Sequence, residues 1–250
     1  MREAVGSVIC TGSIEKSCFA GSRARFRQGE LSRVPCYERV STRLTTLKHI
    51  GEQVDDSGLA AVPGVMITDP EWLGAQVDAA GRRYRLADLP TLGVLWWYSA
   101  SSVLLGLLVA ERDPGLDHVT LLMHRVDGRL LDARSDRALA DFGTLGDALS
   151  VPIETVVRAT GARRRALWAI ATDSLANRVL WAGGSPGDAF RLAALVGPKL
   201  PTPRYVTVSG RLVVRRASCC LIYLAPGEAK CVSCPRQTPE ERVRRLSHDG

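Results

Sequence analysis

The 250-residue sequence lacks several patterns that assign a function directly. It has no Gly-rich dinucleotide fingerprint and no convincing catalytic triad, so neither a nicotinamide or flavin site nor a hydrolase centre is predicted. It has no internal repeat, which excludes a solenoid. Its start lacks the charged, apolar and small-residue succession of a secretory signal, so we expect a cytoplasmic protein.

A basic nucleic-acid-binding stripe is also missing. The formal net charge is +7, but residues 1–50 contribute most of it, with nine Lys/Arg against four Asp/Glu. Because no aromatic-interleaved basic pattern accompanies this charge, no nucleic-acid partner is predicted. Residues 1–58 lack a sustained period of 2 or 3.6, and we interpret them as a disordered basic extension.

Residues 59–204 have the patterns of a helix-rich α+β body. Helices are predicted from Pro70, with Asp69 as N-cap, and over 144–160, 162–181 and 186–197. Residues 118–125 and 130–131 are typical of two strands joined by a two-residue hairpin turn at Asp127-Gly128. In the helix over 162–181, one apolar face is predicted to be buried, and it comprises Trp168, Ala171, Leu175 and Val179.

Residues 89–110 contain no charged side chain. A helix of that length can span a bilayer. However, Ser99, Ser101 and Ser102 lie in its middle, and the tandem tryptophans 96–97 lie inside it, away from the ends where aromatic belts form. The pattern favours a buried core helix. Membrane association is the alternative, although no second spanning segment supports a transporter.

Residues 205–250 are predicted to be a hairpin and a C-terminal cluster-binding segment packed on the body. Strands over 205–208 and 212–216 flank a tight turn at Ser209-Gly210. At the other end, Thr238 as N-cap, Pro239 in the first turn and Glu241 predict a short helix through Leu246. The stretch between these elements is rich in cysteine.

Four of the seven cysteines lie in this stretch, in the pattern C-C-x10-C-x2-C. They are Cys219, Cys220, Cys231 and Cys234. Pro226-Gly227 predicts a turn that brings the two pairs together. The other three, Cys10, Cys18 and Cys36, are widely spaced and are poor ligand candidates. Cysteines in a cytoplasmic chain favour metal ligation or redox chemistry over a disulfide framework.

Four thiolates suit either tetrahedral zinc or an iron–sulfur cluster. The C-x2-C pair serves both. The adjacent pair is harder to place, because neighbouring strand residues point to opposite faces, so Cys219 and Cys220 can share a centre only where the backbone leaves the strand. A two-iron cluster relaxes that demand. Structural zinc and a thiol–disulfide switch at Cys231 and Cys234 stay open as alternatives.

This stretch resembles the C-terminal signature of the ferric-siderophore reductases of the FhuF type, which combines basic residues, a pair of adjacent cysteines and a final C-x-x-C-P. The matching residues are Arg215, Arg216, Cys219, Cys220, Cys231, Cys234 and Pro235. This resemblance implies that the four cysteines ligate a 2Fe-2S cluster. It carries over no substrate-binding residue, because the body upstream of the motif does not align with the family residue by residue. No catalytic side chain is assigned, and the electron is expected to pass through the cluster.

The resemblance further implies a one-electron reduction of siderophore-chelated Fe(III), which releases Fe(II) for iron homeostasis. The expected partners are a ferric siderophore and an unidentified electron donor. An alternative function is a non-catalytic binding module in siderophore handling, stabilised by zinc or by a cluster. A membrane-anchored transport component is a third.

Other polar residues give weaker signals. His118 and His124 are separated by roughly 20 Å along a strand and cannot share an ion, so we interpret them as ordinary sheet residues. The predicted helix over 162–181 begins with three cations, Arg163, Arg164 and Arg165, which oppose the positive end of the helix dipole. They form either a solvated helix end or an anion-binding patch. Arg215 and Arg216 either raise the potential of the cluster or attract an anionic chelate, or they are solvent-facing strand ends.

Overall fold

The computed structural model describes residues 58–139 and 145–248. The predicted disordered extension, with its three cysteines, therefore lies outside the described residues apart from Gly58. The described part has the predicted α+β fold, in which helices and a small antiparallel sheet pack around one central helix.

The elements follow one another in a simple order. They are β1 (Leu59–Pro63), α1 (Pro70–Tyr84), α2 (Leu89–Val109), β2 (Val119–His124), β3 (Leu130–Ser135), α3 (Leu145–Thr160), α4 (Arg164–Trp181), α5 (Pro186–Val196), β4 (Tyr205–Val208), β5 (Arg211–Val214) and α6 (Pro239–His248). Short 3-10 turns occupy Gly64–Thr68, Leu116–His118 and Ile222–Leu224.

Helix α2 is the centre of the core and packs against α1, α3, α4 and β3. It is long and apolar enough to cross a membrane, but 78% of its most apolar window is buried inside the protein. Its polar groups bind α4: Trp97 Nε1 donates to Leu167 O at 2.9 Å, and Ser101 Oγ lies 2.9 Å from Ser174 Oγ. Trp97 and Ser101, whose positions favoured a buried helix over a membrane-spanning one, thus make contacts inside the protein core.

The helix starts follow the local signals in the sequence. The Asp69 carboxylate accepts hydrogen bonds from Glu71 N at 2.8 Å and Trp72 N at 2.9 Å, which confirms the predicted cap of α1. Ser185 and Asp188 form a reciprocal capping box at the start of α5. The predicted buried face of α4 is confirmed, since Trp168, Ala171, Leu175 and Val179 are all buried.

The three-stranded sheet, in the order β1-β2-β3, differs from the prediction in two places. Strand β1 pairs antiparallel with β2 and was not predicted. The hairpin loop contains residues 125–129, so the predicted two-residue turn is wrong. The longer loop closes because the Asp127 side chain accepts from Arg129 N at 3.0 Å, while His124 N donates to Arg129 O at 2.8 Å. His118 lies in the 3-10 turn before β2, not in the strand.

The second hairpin, β4-β5, leads directly into the cysteines. Its two-residue turn is confirmed: Ser209 and Gly210 have φ values of 49° and 77°, the left-handed conformation that such a turn requires. Strand β5 ends at Val214, two residues before the predicted end. At the far end of the chain, Glu241 N donates to Thr238 Oγ1 at 3.1 Å, which confirms the predicted cap of α6.

Candidate metal centre

The four C-terminal cysteines come together in the structure. Cys219 Sγ and Cys234 Sγ are 3.6 Å apart. Cys220 interacts with Cys219 and Cys231, and Cys231 interacts with Cys234, closely enough to shift the pKa values of these thiols. The four thiols therefore form one group, in which Cys220 and Cys234 are buried and the other two are partly exposed.

The adjacent cysteines lie where the backbone has left the strand, as the sequence required. Leu221 follows them in the left-handed conformation, with φ 65° and ψ 9°, and its N–H donates to Cys219 Sγ at 3.4 Å. Because this segment is not pleated, neighbouring side chains need not alternate between two faces. Both thiols of the pair can then contact the same group of sulfur atoms.

The spacer between the pairs turns back on itself. After the 3-10 turn Ile222–Leu224, Glu228 N donates to Ala225 O at 3.0 Å across Pro226-Gly227, and Gly227 has φ 82°. Pro in the second and Gly in the third position of such a turn agree with the prediction from sequence. A further backbone bond, Cys234 N to Cys231 O at 3.0 Å, closes the second cysteine loop.

Helix α6 fixes this second loop through its arginines. Arg242 donates to Cys234 O at 3.3 Å from Nε, and to Pro235 O and Gln237 O at 3.2 Å from Nη2. Arg245 Nη1 donates to Lys230 O at 3.0 Å. The predicted closing helix thus has a positioning role, because its side chains satisfy the carbonyls around Cys231 and Cys234.

A buried acid on α4 fixes the backbone before the first pair. Asp173 accepts hydrogen bonds from Ala217 N at 2.9 Å and 3.1 Å, one to each carboxylate oxygen, and from Ser218 N at 3.0 Å. Burial raises the pKa of the Asp173 carboxyl, although Arg216 and the two backbone amides act in the opposite direction. These bonds give a physical reason for the early end of β5, since they bind the chain to α4.

Asp173 was not among the site residues predicted from the sequence. A signal was available: it is the single charge between Arg165 and Arg178, in a helical segment that is otherwise uncharged. A charged residue in the middle of a buried helix must have a partner. That partner could not be named from the sequence, because Ala217 lies 44 residues further along the chain.

Arg216 is the cation of the centre, and its side chain is only 2% exposed. Its Nη1 donates to Cys231 Sγ at 3.3 Å, and its guanidinium carbon lies 4.9 Å from the Tyr98 ring centroid. Burial opposes the charge, but Tyr98, Cys220, Cys231 and Asp173 together raise the pKa of Arg216 well above its usual value. Arg215 is exposed. Of the two predicted alternatives for these arginines, Arg216 therefore has the position beside the thiols, and Arg215 has the position that faces solvent.

The thiols divide into donors and acceptors. Hydrogen bonds with Cys219 and Cys231 lower the pKa of Cys220 well below its usual value, and one with Cys231 lowers the pKa of Cys234 to about 5. The same contacts raise the pKa values of Cys219 and Cys231. Because the thiolate is the form that binds metal, ligation by all four cysteines requires Cys219 and Cys231 to lose their protons as well.

The other candidate residues lie elsewhere. His124 Nδ1 contacts Asp127 Oδ1 at 3.0 Å, and His118 Nδ1 lies 3.4 Å from Asp136 Oδ1. The arginines 163–165 are exposed, and Arg164 pairs with Glu154, as expected of a solvated helix end. Within the described ranges, no group of three or more His, Cys, Asp or Glu side chains has the arrangement of a single-ion site.

The comparison with known families concerns the cysteine segment. Residues 216–236 match the family model of the FhuF 2Fe-2S C-terminal domain. The chain carries an FhuF-type 2Fe-2S signature. The resemblance predicted from sequence is thereby confirmed for this segment, and so is the predicted cofactor, which is the one that the matched domain binds. The match indicates a siderophore-related iron–sulfur protein. No curated protein matches the chain.

The donor set around the thiols fits a 2Fe-2S cluster. Four cysteine sulfurs are the usual ligands of such a cluster, and hydrogen bonds to those sulfurs are one of the means by which proteins adjust its potential. Here Leu221 N donates to Cys219 Sγ and Arg216 donates to Cys231 Sγ. The partial exposure of Cys219 leaves one side of the group accessible to solvent.

Proposed function

We propose that this protein is an iron–sulfur ferric-siderophore reductase whose 2Fe-2S cluster is ligated by Cys219, Cys220, Cys231 and Cys234. The grouping of these four thiols beside a buried guanidinium carries the proposal. Its position inside the segment that matches an FhuF 2Fe-2S domain supports the same function. The electron that each turnover consumes comes from a separate donor.

The chemistry needs little from the protein besides ligation and electrostatics. When bound, a 2Fe-2S cluster can pass one electron to chelated Fe(III), and the resulting Fe(II) is held more weakly by hard oxygen donors because of its lower charge. Arg216 holds a positive charge against Cys231, which favours the more negative, reduced state of the centre. Asp173 positions Arg216 and the backbone of the first cysteine pair.

We also propose that residues 205–250 act as a cluster-binding segment on the body formed by residues 59–204. The hydrogen bonds that Ala217 N and Ser218 N donate to Asp173 support this assignment, because they join the segment to α4. The proposed location is the cytoplasm, where thiols stay reduced. The burial of α2 inside the core supports this location over a membrane anchor.

The cofactor is tested by an anaerobic visible spectrum of the purified protein, with iron, sulfide and zinc quantified in the same sample. We expect about two irons and two sulfides per chain, with absorption that dithionite bleaches. Cys219→Ser should lose both, whereas Cys36→Ser, at a cysteine outside the C-C-x10-C-x2-C motif, should retain them. A colourless protein with one zinc would overturn the cofactor assignment.

The reaction is tested on the same samples. The reduced protein is mixed anaerobically with a ferric chelate, and released Fe(II) is trapped with a chromogenic Fe(II) ligand. We expect one Fe(II) for each electron that the cluster loses, with no release by Cys219→Ser. A coloured protein that stays reduced in the presence of a range of ferric chelates would support the non-catalytic binding module instead.

A further inference from the structure

A narrow cavity of about 100 Å³ adjoins the centre. Its lining includes Cys220 and Cys231 together with Arg83 and Arg129. The side chains of these two arginines are 25% and 40% exposed, so the lining reaches solvent at the arginines. The cavity therefore joins the surface to two of the four thiols.

The charged residues of its lining are all arginines, Arg83, Arg129 and Arg178. Behind the first two, Asp127 is a shared partner: its Oδ2 lies 2.6 Å from Arg129 Nε, and its Oδ1 lies 3.9 Å from Arg83 Nη2. One carboxylate between two guanidinium groups leaves a net positive charge. Arg178 Nε donates to Ser102 O and Oγ, both at 2.9 Å, which are neutral acceptors.

Arg83 and Arg129 are distinct from the cation that contacts the thiols. That cation is Arg216, which does not line the cavity and donates to Cys231 Sγ at 3.3 Å. Arg83 and Arg129 instead contact the hairpin loop at Asp127. Their partial exposure suits the capture of an anion that arrives from outside, because guanidinium groups bind anionic oxygens by charge-assisted hydrogen bonds.

The size of the cavity limits what enters. Sites that enclose a drug-sized ligand measure roughly 300–1,000 Å³, so this cavity can hold the edge of a chelate but not the whole molecule. Trp96 and Tyr98 also line the cavity, and their aromatic side chains suit a flat ligand edge. Contact at one edge is enough for an electron to pass to a chelated metal.

Building on the proposed reductase function, we propose that this cavity is the docking site of the ferric chelate and that it selects chelates of net negative charge. Arg83 and Arg129 bind anionic oxygens at the periphery of the chelate, and one ligand edge enters beside Trp96 toward Cys220 and Cys231. Carboxylate and catecholate ligands both supply such oxygens. A neutral hydroxamate chelate of the same metal lacks the net charge and binds more weakly.

Gallium chelates separate binding from reduction, because Ga(III) resembles Fe(III) in charge and size but is not reduced. The cluster-loaded protein is titrated by calorimetry with Ga(III) citrate, with Ga(III) tris(catecholate) and with neutral Ga(III) tris(acetohydroxamate). We expect at least one anionic chelate to bind about tenfold more tightly than the neutral one. Which of the two anionic chelates binds identifies the source of the oxygens.

Variants then locate the site. Arg83→Gln and Arg129→Gln should each weaken the anionic chelate about tenfold and leave the neutral one unchanged. Arg83→Lys, which keeps the charge, should retain most of the preference. The control is Arg191→Gln, because Arg191 is exposed and also pairs with an aspartate, Asp188, but lies outside the cavity. Iron content and thermal unfolding confirm that each variant is folded and loaded.

Equal affinity for anionic and neutral chelates, or an equal loss in Arg191→Gln, would overturn the docking site. Neither outcome depends on turnover, so the reductase proposal would stand or fall separately by Fe(II) release. Conversely, selective binding of an anionic gallium chelate without reduction of its ferric counterpart would sink the reductase proposal and leave an anion-selective docking site.

Discussion

Arg216 and Asp173 form a buried ion pair between the cysteine segment and helix α4, with Nε 3.6 Å from Oδ2 and side chains that are 2% and 3% exposed. Two charges this deep are tolerated only because each has further partners. Arg216 also donates to Cys231, and Asp173 also accepts from Ala217 and Ser218. The pair therefore couples the position of the backbone to the charge beside the thiols.

Removing the acid should destabilise the protein strongly. Asp173→Ala leaves Arg216 without its counter-ion and two backbone N–H groups without their acceptor, and we expect a loss of about 3–5 kcal/mol in the free energy of unfolding. Asp173→Asn keeps one acceptor oxygen and should lose less. Urea denaturation of the iron-loaded protein measures both. The control is Asp136→Ala: the Asp136 side chain is 81% exposed, so this variant should change the free energy of unfolding by no more than about 0.5 kcal/mol. An equal effect of the two alanine variants would contradict the role of Asp173.

Removing the cation should lower the reduction potential of the cluster. Reduction adds negative charge, which the Arg216 guanidinium stabilises across its 3.3 Å hydrogen bond to Cys231 Sγ. For Arg216→Gln we expect a decrease on the order of 60 mV, the shift that a tenfold change in equilibrium gives for one electron. An anaerobic spectroelectrochemical titration measures it. The control is Arg215→Gln, because Arg215 is exposed, and this variant should shift the potential much less. An unchanged potential in Arg216→Gln would be evidence against this electrostatic role.

Local signals in the sequence predicted most of the helices and the cysteine segment correctly. Asp69 and Ser185 define helix starts through bonds within four residues, and Pro226-Gly227 defines a turn through its own backbone preferences. The cysteine spacing predicted the centre because the motif lies within one short stretch. Strand β1 had no such signal, since its pairing with β2 connects residues about sixty positions apart.

The contacts that position the centre depend on tertiary structure and were not predicted. Asp173 reaches Ala217 from another element, and Arg216 was one of two adjacent arginines with equal claims to the cluster. Only the path of the chain after β5 distinguishes them, because it buries Arg216 against Tyr98 and exposes Arg215. The cavity likewise combines residues from α1, α2, α4 and the β2-β3 loop, so no local pattern indicates it.

Close packing between α2 and α3 should make Gly93 irreplaceable. A Cβ at this position would overlap Thr160 Oγ1 and lie 2.8 Å from Thr160 Cβ. Thr160 cannot move away freely, because its hydroxyl donates to Val156 O at 2.7 Å and accepts from Ala162 N at 3.2 Å. We expect Gly93→Ala to destabilise the protein by about 1–3 kcal/mol.

A second glycine provides the matched control for that substitution. Gly74 lies within α1, and a Cβ there would meet nothing within 4 Å. Gly74→Ala should therefore stabilise the protein by up to about 1 kcal/mol through helix propensity alone. Urea denaturation of the two variants should shift in opposite directions, and a shift in the same direction would contradict the packing argument.

Tyr205 should make stability depend on pH in the alkaline range. Burial raises the pKa of its phenol from 10.0 to about 12, and its ring packs edge-on against Phe190 with centroids 6.1 Å apart. The raised pKa means that the folded state retains the proton where the unfolded state releases it. The contribution of Tyr205 is therefore complete below pH 10.0 and is lost as the pH rises to about 12.

Because other groups titrate in this range, the test is the difference between wild type and Tyr205→Phe in the free energy of unfolding. This difference should be constant up to about pH 9.5 and should then change in favour of the variant; parallel curves for the two proteins from pH 9 to 12 would show that the phenol has the same pKa in both states.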